Sequence, residues 1–192
     1  KEHLTGGYNV MIGANAMDAT QAGGTQADSA NSFYNVAIGY NSLGGSWADY
    51  RTDGCIAIGY NTMAGAISNV DGTIAIGQSA LTALTSGVGN IAMGYGAAQH
   101  LTTGVRNIAI GYGAFDDLDV GGSDNARTSD DNIFIGYDSG GGGFTDLKSS
   151  SNVAIGNYTM DAAIAGANDN TAMGYASLSA LTSGDNNTAV GR

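Results

Sequence analysis

The groups that could do chemistry in this 192-residue chain are few and lie far apart in the sequence. Its histidines are His3 and His100, and its single cysteine is Cys55. A zinc site or a histidine-dependent nucleophile needs several such groups together, and Cys55 has no His–Asp pair to activate it. The sequence contains neither a GxSxG nucleophile elbow nor a GxxxxGK[ST] phosphate loop. We therefore predict no catalytic residue, no metal site and no enzymatic activity.

Carboxylates are the abundant ionisable group, since 17 acidic residues oppose six basic ones and give a formal net charge of −11. This charge argues against binding nucleic acid, which needs clustered Lys and Arg, and against docking on an anionic membrane. One insert concentrates six aspartates: Asp116, Asp117, Asp119, Asp124, Asp130 and Asp131. Loop carboxylates suit Ca²⁺, but their spacing matches neither the helix-loop-helix calcium loop nor the nonapeptide calcium repeat. A solvated acidic loop is the favoured interpretation, with Ca²⁺ as the alternative.

Two inserts of similar composition are the candidate recognition sites, because loops on a rigid scaffold commonly carry binding contacts. They combine aromatic and basic residues: Trp47, Tyr50 and Arg51 in one insert, and Phe144 and Lys148 in the other. An aromatic ring can stack on a sugar face while a neighbouring polar group forms hydrogen bonds. The alternative is that Trp47 and Phe144 cap the side of the fold or bridge subunits. The expected partner is a cell-surface glycan or protein receptor.

A five-residue repeat must position these inserts. The pattern Asn-apolar-Ala-apolar-Gly recurs in ten units, with substitutions at its first three positions, and ends at Gly13, Gly39, Gly59, Gly77, Gly94, Gly111, Gly136, Gly156, Gly174 and Gly191. A repeat of about 20 residues is typical of a stacked array in which each unit buries its apolar surface against its neighbours. The sequence therefore predicts an all-β fold, a parallel β-solenoid (β-roll or β-helix) of about ten rungs.

The ten units fall into two blocks of five. Successive glycines are separated by 26, 20, 18, 17 and 17 residues, and then by 25, 20, 18 and 17. The inserts correspond as well, because Trp47 and Arg51 align with Phe144 and Lys148. We predict one continuous solenoid with two structural halves, residues 1–104 and 105–192. The chain stops where a further unit would begin, so we also expect it to be a segment of a longer protein.

Each pentapeptide is expected to form a short strand, whose alternate residues point to opposite faces. In the second unit, Val36 and Ile38 share one face and Ala37 lies on the other. We expect the branched residues to fill the interior. A small apolar column suggests a closely approaching surface, so we predict a subunit interface at Ala37, Ala57, Ala75, Ala92, Ala109, Ala154, Ala172 and Ala189. The alternative is that these alanines pack under a loop of their own chain.

Asparagine precedes the strand in eight of the ten units, and Cys55 and Thr73 occupy the other two positions. Stacked asparagine side chains can form a hydrogen-bonded ladder along a solenoid. We therefore predict such a ladder here, with Cys55 as a partly buried small residue within it.

The strands NVAIG at 35–39 and NIAIG at 107–111 resemble the repeats of trimeric autotransporter adhesin heads, which form a left-handed parallel β-roll. The longer unit NIAMGYGAAQHLTTGVRNIAIGYGAF at 90–115 is similar to repeats of phage tail fibres and related bacterial fibre proteins. The resemblance implies a homotrimeric extracellular fibre, on a virion tail or a bacterial surface, with the alanine column near the trimer axis.

These observations together predict a structural and adhesive fibre segment that mediates attachment to a cell surface. No run of 18 apolar residues occurs, so no membrane insertion is expected in this segment. The alternatives are a polysaccharide-degrading tailspike fragment and a self-assembling extracellular filament.

Overall fold

A computed structural model describes residues 7–18, 32–45, 51–116, 128–143 and 147–192. Within these ranges each of the ten pentapeptides forms one three-residue strand. The strands are β1 (Val10–Ile12), β2 (Val36–Ile38), β3 (Ile56–Ile58), β4 (Ile74–Ile76), β5 (Ile91–Met93), β6 (Ile108–Ile110), β7 (Ile133–Ile135), β8 (Val153–Ile155), β9 (Thr171–Met173) and β10 (Thr188–Val190). The repeat therefore sets the position of every strand.

The ten strands form one parallel sheet in which each strand pairs with the next along the chain, from β1 to β10. The pairing register follows the repeat. The middle residue of each strand pairs with the middle residue of the next strand, as Ala57 does with Ala75. The predicted boundary between residues 104 and 105 lies between β5 and β6, which pair like the other neighbours. The prediction of an all-β parallel solenoid is confirmed.

A glycine follows each strand, and the chain turns there with a backbone conformation that other residues could not adopt. Gly111 has a φ of +139°, and a Cβ at this position would lie 2.1 Å from the carbonyl oxygen of Gly136 in the next layer. Both the positive φ and the close approach of the two backbones require glycine. The fixed phase of glycine in the sequence thus reflects a tight corner that repeats in every layer.

The segment after the corner glycine is a run of turns. Leu43 and Met63 both take a left-handed conformation, with φ of 52° and 46°. Backbone hydrogen bonds still join neighbouring layers, because the Leu43 N–H donates to the Thr62 carbonyl oxygen at 2.9 Å. This segment forms a second wall opposite the sheet without being a strand.

The central alanine of each strand faces the interior of the roll. The alanines of β2 to β6, β8 and β9 are fully buried within the single chain, and only Ala189 in β10 is partly exposed. The branched residues on either side, such as Ile56 and Ile58, are partly exposed on the outer face. The predicted orientation is therefore wrong, and so is the prediction that this column is the subunit interface, since a side chain covered by its own chain has no surface for a partner.

The interior is narrow, which explains why alanine occupies it. The opposite wall contributes a larger buried residue six positions later, such as Leu43 after Ala37 or Met63 after Ala57. In β7 the sizes are exchanged: Phe134 takes the alanine position, and Gly140 takes the position of the larger residue. A Cβ on Gly140 would lie 2.5 Å from Cδ1 of Phe134. The two positions therefore share one space, and their combined volume is limited.

The predicted asparagine ladder is present. Asn132 is fully buried, and its Nδ2 donates to Asn107 Oδ1 at 3.1 Å and to the Ser149 carbonyl oxygen at 3.0 Å. Its Oδ1 accepts hydrogen bonds from the backbone N–H and the Nδ2 of Asn152, at 3.0 Å and 3.1 Å. Every polar atom of the buried amide thus has a partner, which makes the ladder a structural element between layers.

Candidate functional site

The outer surface of the sheet is the largest regular feature that the chain presents. We define the branched-chain face as the first and third residues of each strand from β2 to β9. These are Val36, Ile38, Ile56, Ile58, Ile74, Ile76, Ile91, Met93, Ile108, Ile110, Ile133, Ile135, Val153, Ile155, Thr171 and Met173, all of them partly or largely exposed. No member carries a charge. The face is therefore a continuous apolar strip that runs along the axis of the solenoid.

A column of tyrosines borders this strip, two positions after the last residue of each strand. We define the tyrosine column as Tyr40, Tyr60, Tyr95, Tyr112, Tyr137 and Tyr175, all of which are exposed. The rings of Tyr95 and Tyr112 stack with centroids 4.9 Å apart, and those of Tyr112 and Tyr137 stack at 5.4 Å. Gln78 after β4 and Asn157 after β8 take the column's positions and interrupt it. At the far end the Arg192 guanidinium lies 5.4 Å from the centre of the Tyr175 ring.

Arg51 and Lys148, the predicted ligand-binding cations, both form ion pairs with aspartates that precede the strands. Arg51 Nη2 lies 2.9 Å from Asp53 Oδ2, and Lys148 Nζ pairs with Asp130 Oδ2. Asp53 is itself held in place, because its Oδ1 accepts the Phe33 N–H at 2.8 Å. About half of each cationic side chain remains exposed, so each could still contact a ligand while keeping its carboxylate partner.

The structure does not bring the two predicted ligand groups together. Arg51 precedes β3 and Lys148 precedes β8, which places them about 24 Å apart along the axis at roughly 4.8 Å per strand. Any recognition role would therefore involve two separate copies of a site. Trp47, Tyr50 and Phe144 lie outside the described residues, so the predicted aromatic contacts stay predictions.

The acidic insert is described in part, and its described carboxylates have partners within the chain. Asp131 forms a two-point ion pair with Arg106, with Oδ1 to Nε at 2.6 Å and Oδ2 to Nη2 at 2.8 Å. This hydrogen-bonded pairing holds the pKa of Asp131 below its usual value. The His100 Nδ1–H donates to the Asp116 carbonyl oxygen at 2.6 Å.

The solvated loop stays the prediction for this insert and Ca²⁺ the alternative, because Asp117, Asp119 and Asp124 lie outside the described residues. Within the described ranges no group of three or more His, Cys, Asp or Glu side chains is placed to hold a metal ion.

Cys55 lies in the interior, where it replaces an asparagine of the ladder. The residue is fully buried, which exceeds the partial burial predicted, and its Sγ lies 3.1 Å from the Val70 carbonyl oxygen. Burial raises the pKa of the Cys55 thiol to about 12. The thiol is therefore protonated at neutral pH and unsuited to act as a nucleophile.

Comparison with known proteins identified no relative of this chain. No protein-family model, no curated protein and no solved structure matches this chain. In the part of the chain that the structure describes, no helix is long and apolar enough to cross a membrane.

The branched-chain face was recognised in the sequence but assigned to the wrong side. One signal pointed to the right side: the asparagine and the alanine of each unit are two residues apart and so share a face of the strand. An asparagine ladder needs the carbonyl groups of the adjacent wall as partners, as Asn132 needs Ser149. Its presence therefore indicates that the alanine side faces inward.

Proposed function

We propose that this chain is a structural fibre segment that assembles as a homotrimer through its branched-chain face and attaches to a cell surface through its inserts. The observation that supports the assembly is the outward position of the branched apolar residues of the strands. Seven of the eight strands from β2 to β9 carry Ile or Val at their first position, and none carries a charge there. Such a strip is unusual on a protein that works as a monomer.

The size of the face agrees with an interface between subunits. With the exposed outer residues of β1 and β10 added to the face, ten strands at about 4.8 Å each give a length of about 48 Å, and two side chains per strand about 7 Å apart give a width of about 12 Å. The resulting area is about 600 Å² per chain, close to the roughly 800 Å² per partner that stable interfaces bury.

The regular register supports a symmetric assembly. Because all ten strands are parallel and in register, a second copy placed alongside can oppose the same kinds of residue at every level. In a closed cyclic arrangement about an axis parallel to the solenoid, every subunit makes the same contacts. The choice of three subunits follows from the resemblance of the repeats to trimeric fibres. In this arrangement the alanine column stays inside each roll.

The attachment role rests on the inserts. A trimer presents each insert three times, so weak contacts with a surface glycan or protein can sum through avidity. The repetition of aromatic and basic residues in the two blocks adds further copies along the fibre. An extracellular location, on a virion tail or a bacterial surface, suits this role.

The assembly can be tested with charged substitutions on the two faces. The double variant Ile76→Lys and Ile110→Lys places charges in the branched-chain face, and Ser183→Lys adds a charge at an exposed position in a turn. We expect sedimentation to show a trimer for the original chain and for the Ser183 variant, and smaller species for the double variant. A monomer for the original chain at micromolar concentration, or an intact trimer carrying both lysines, would contradict the proposal.

The attachment role needs a separate measurement. Trp47→Ala combined with Phe144→Ala should weaken binding to target cells while leaving the sedimentation and melting temperature unchanged. Arg106→Ala is the matched control, because it removes an exposed cation outside the two inserts. Loss of binding in the control alone would place the contact outside the two inserts. A lower melting temperature of the aromatic variant without loss of binding would assign Trp47 and Phe144 a structural role instead.

A further inference from the structure

The tyrosine column places exposed phenol rings in direct contact along one side of the roll. Tyr95, Tyr112 and Tyr137 form an uninterrupted stack, with interplanar angles of 10° and 13° between neighbours. Tyr40 and Tyr60 form a second stacked pair, with centroids 5.5 Å apart. These rings are about half exposed, so their edges and hydroxyl groups are open to solvent in the single chain.

This arrangement is poorly suited to binding sugars but well suited to radical coupling. A sugar stacks on the face of an aromatic ring, and the faces within these stacks are covered by neighbouring tyrosines. The exposed ring edges carry the Cε atoms, which are the positions where a tyrosyl radical reacts with another. Holding two reacting groups side by side also raises their effective concentration.

We propose that the tyrosine column is an oxidative modification site at which stacked neighbours are joined as dityrosine by a one-electron oxidant, such as a peroxidase intermediate. Each of two neighbouring phenols gives one electron to the oxidant and releases its hydroxyl proton to water. The two phenoxyl radicals combine through a new Cε–Cε bond. The hydrogens on these two carbons then move to the oxygens and restore both phenols, so that two hydrogen atoms are lost overall.

The structure specifies which pairs should react. Within the column, Tyr112 can couple with Tyr95 or Tyr137, and Tyr40 can couple with Tyr60. Outside the column, Tyr8 and Tyr34 stack at 5.3 Å and should couple in the same way. Tyr60 and Tyr95 should not couple, because Gln78 separates them and leaves them two layers, about 9.6 Å, apart. Tyr137 and Tyr158 meet edge to face at an interplanar angle of 66°, which is less suited to joining their edges than the stacked geometry.

The links would connect adjacent layers of the solenoid. A Tyr95–Tyr112 bond closes a segment of 17 residues, and a Tyr112–Tyr137 bond closes one of 25 residues. As with a disulfide, such a bond restricts the unfolded chain, so it should resist separation of the layers on heating. An extracellular fibre exposed to oxidants would gain mechanical strength from the same chemistry.

The test uses the folded chain at low concentration with a photogenerated Ru(III) complex as the one-electron oxidant. We expect dityrosine fluorescence and a loss of 2 Da per link, with mapped peptides joining Tyr95 to Tyr112, Tyr112 to Tyr137 and Tyr40 to Tyr60. An absence of dityrosine at a dose that links free tyrosine, or links spread without regard to layer, would overturn the proposal.

Two variants make the test specific. Tyr112→Phe keeps the stacked ring but removes the phenol, so both of its links should disappear while the Tyr40–Tyr60 link remains as an internal reference. Gln78→Tyr fills the gap in the column, so new links to Tyr60 and Tyr95 should appear. Circular dichroism before oxidation checks that both variants are folded. Unchanged link patterns in both variants would show that the column does not direct the coupling.

Discussion

The exchange of sizes between Phe134 and Gly140 provides the sharpest test of which face of the strands is buried. Phe134 replaces the usual central alanine, and its ring stacks on Phe115 with centroids 4.8 Å apart. Gly140 faces that ring closely enough that any side chain at this position would collide with it. We therefore consider the two single variants, Phe134→Ala and Gly140→Met, together with the double variant.

The expected magnitudes follow from the packing. Phe134→Ala removes a fully buried ring and should lower the free energy of unfolding by about 3–5 kcal/mol. Gly140→Met should cost about 1–3 kcal/mol from overpacking, with a further 1–2 kcal/mol from placing a side chain at a positive φ. The double variant recreates the Ala57 and Met63 pair, so about 1–2 kcal/mol should remain. The two changes should thus be coupled by about 3 kcal/mol or more.

The assay must report on these layers, because stacked repeats can unfold in parts and need not show a two-state transition. Amide hydrogen exchange in β6, β7 and β8 measures the local free energy of opening. The exchange of the same amides in all four proteins gives the coupling directly, and β3 and β4 serve as a distant internal control.

Additive effects would refute the reasoning. If the double variant were less stable than either single variant, the two positions could not share one space. A Gly140→Met variant as stable as the original chain would also show that the Phe134 ring lies outside the roll. Either result would reopen the possibility that the alanine column faces a partner.

Three further predictions concern the corner, the ladder and the buried thiol. Gly111→Ala should lower the free energy of unfolding by about 3 kcal/mol or more in thermal denaturation, because its Cβ would overlap the Gly136 carbonyl; a tolerated alanine would exclude the tight corner. Asn132→Ala leaves several buried polar groups without partners and should cost about 3–6 kcal/mol, measured by amide exchange in the adjacent strands. The free energy of unfolding of the original chain should fall, relative to that of Cys55→Ala, as the pH rises from 9.0 toward about 12. In that range only the unfolded chain loses the Cys55 thiol proton. A stability difference independent of pH would place the thiol in water.

Much of the fold could be predicted from the repeat itself. The pentapeptide located every strand because its asparagine, its branched residues and its glycine each have a structural task that recurs in each layer. The ladder at Asn132 and the corner at Gly111 both follow from residue type and phase. These features depend on contacts with the neighbouring repeat. Because ten similar units carry the same residues, the sequence contains the evidence for these contacts many times.

Hydrophobicity alone could not predict which face of each strand is buried, because both faces are apolar. Branched residues are normally expected inside, and alanine is acceptable on either side. The interior of this roll accommodates one small and one larger residue per layer, as Ala57 and Met63 show, and two isoleucines per strand would not fit. The exchange at Phe134 and Gly140 indicates this limit on the combined volume. It can be recognised only when residues six positions apart are known to face each other.

The candidate recognition site was less predictable than the fold. The ion pairs of Arg51 and Lys148 each depend on an aspartate outside the residues that carry the aromatic pattern, and Asp130 comes from the layer preceding Lys148. Arg51 and Asp53 are two residues apart in the sequence, whereas only the stacking of layers shows that Lys148 meets Asp130.

The division of apolar residues between the two faces links the fold to the proposed assembly. Most layers place alanine inside and two larger branched residues outside, so an isolated chain leaves much of its most hydrophobic surface in water. At about 25 cal/mol per Å², covering a face of about 600 Å² on each chain could contribute on the order of 15 kcal/mol before the entropy of association is subtracted. That contribution is comparable with the total stability of an ordinary domain. A roll with so small an interior therefore has a physical reason to fold and assemble together, and its stability should depend on protein concentration.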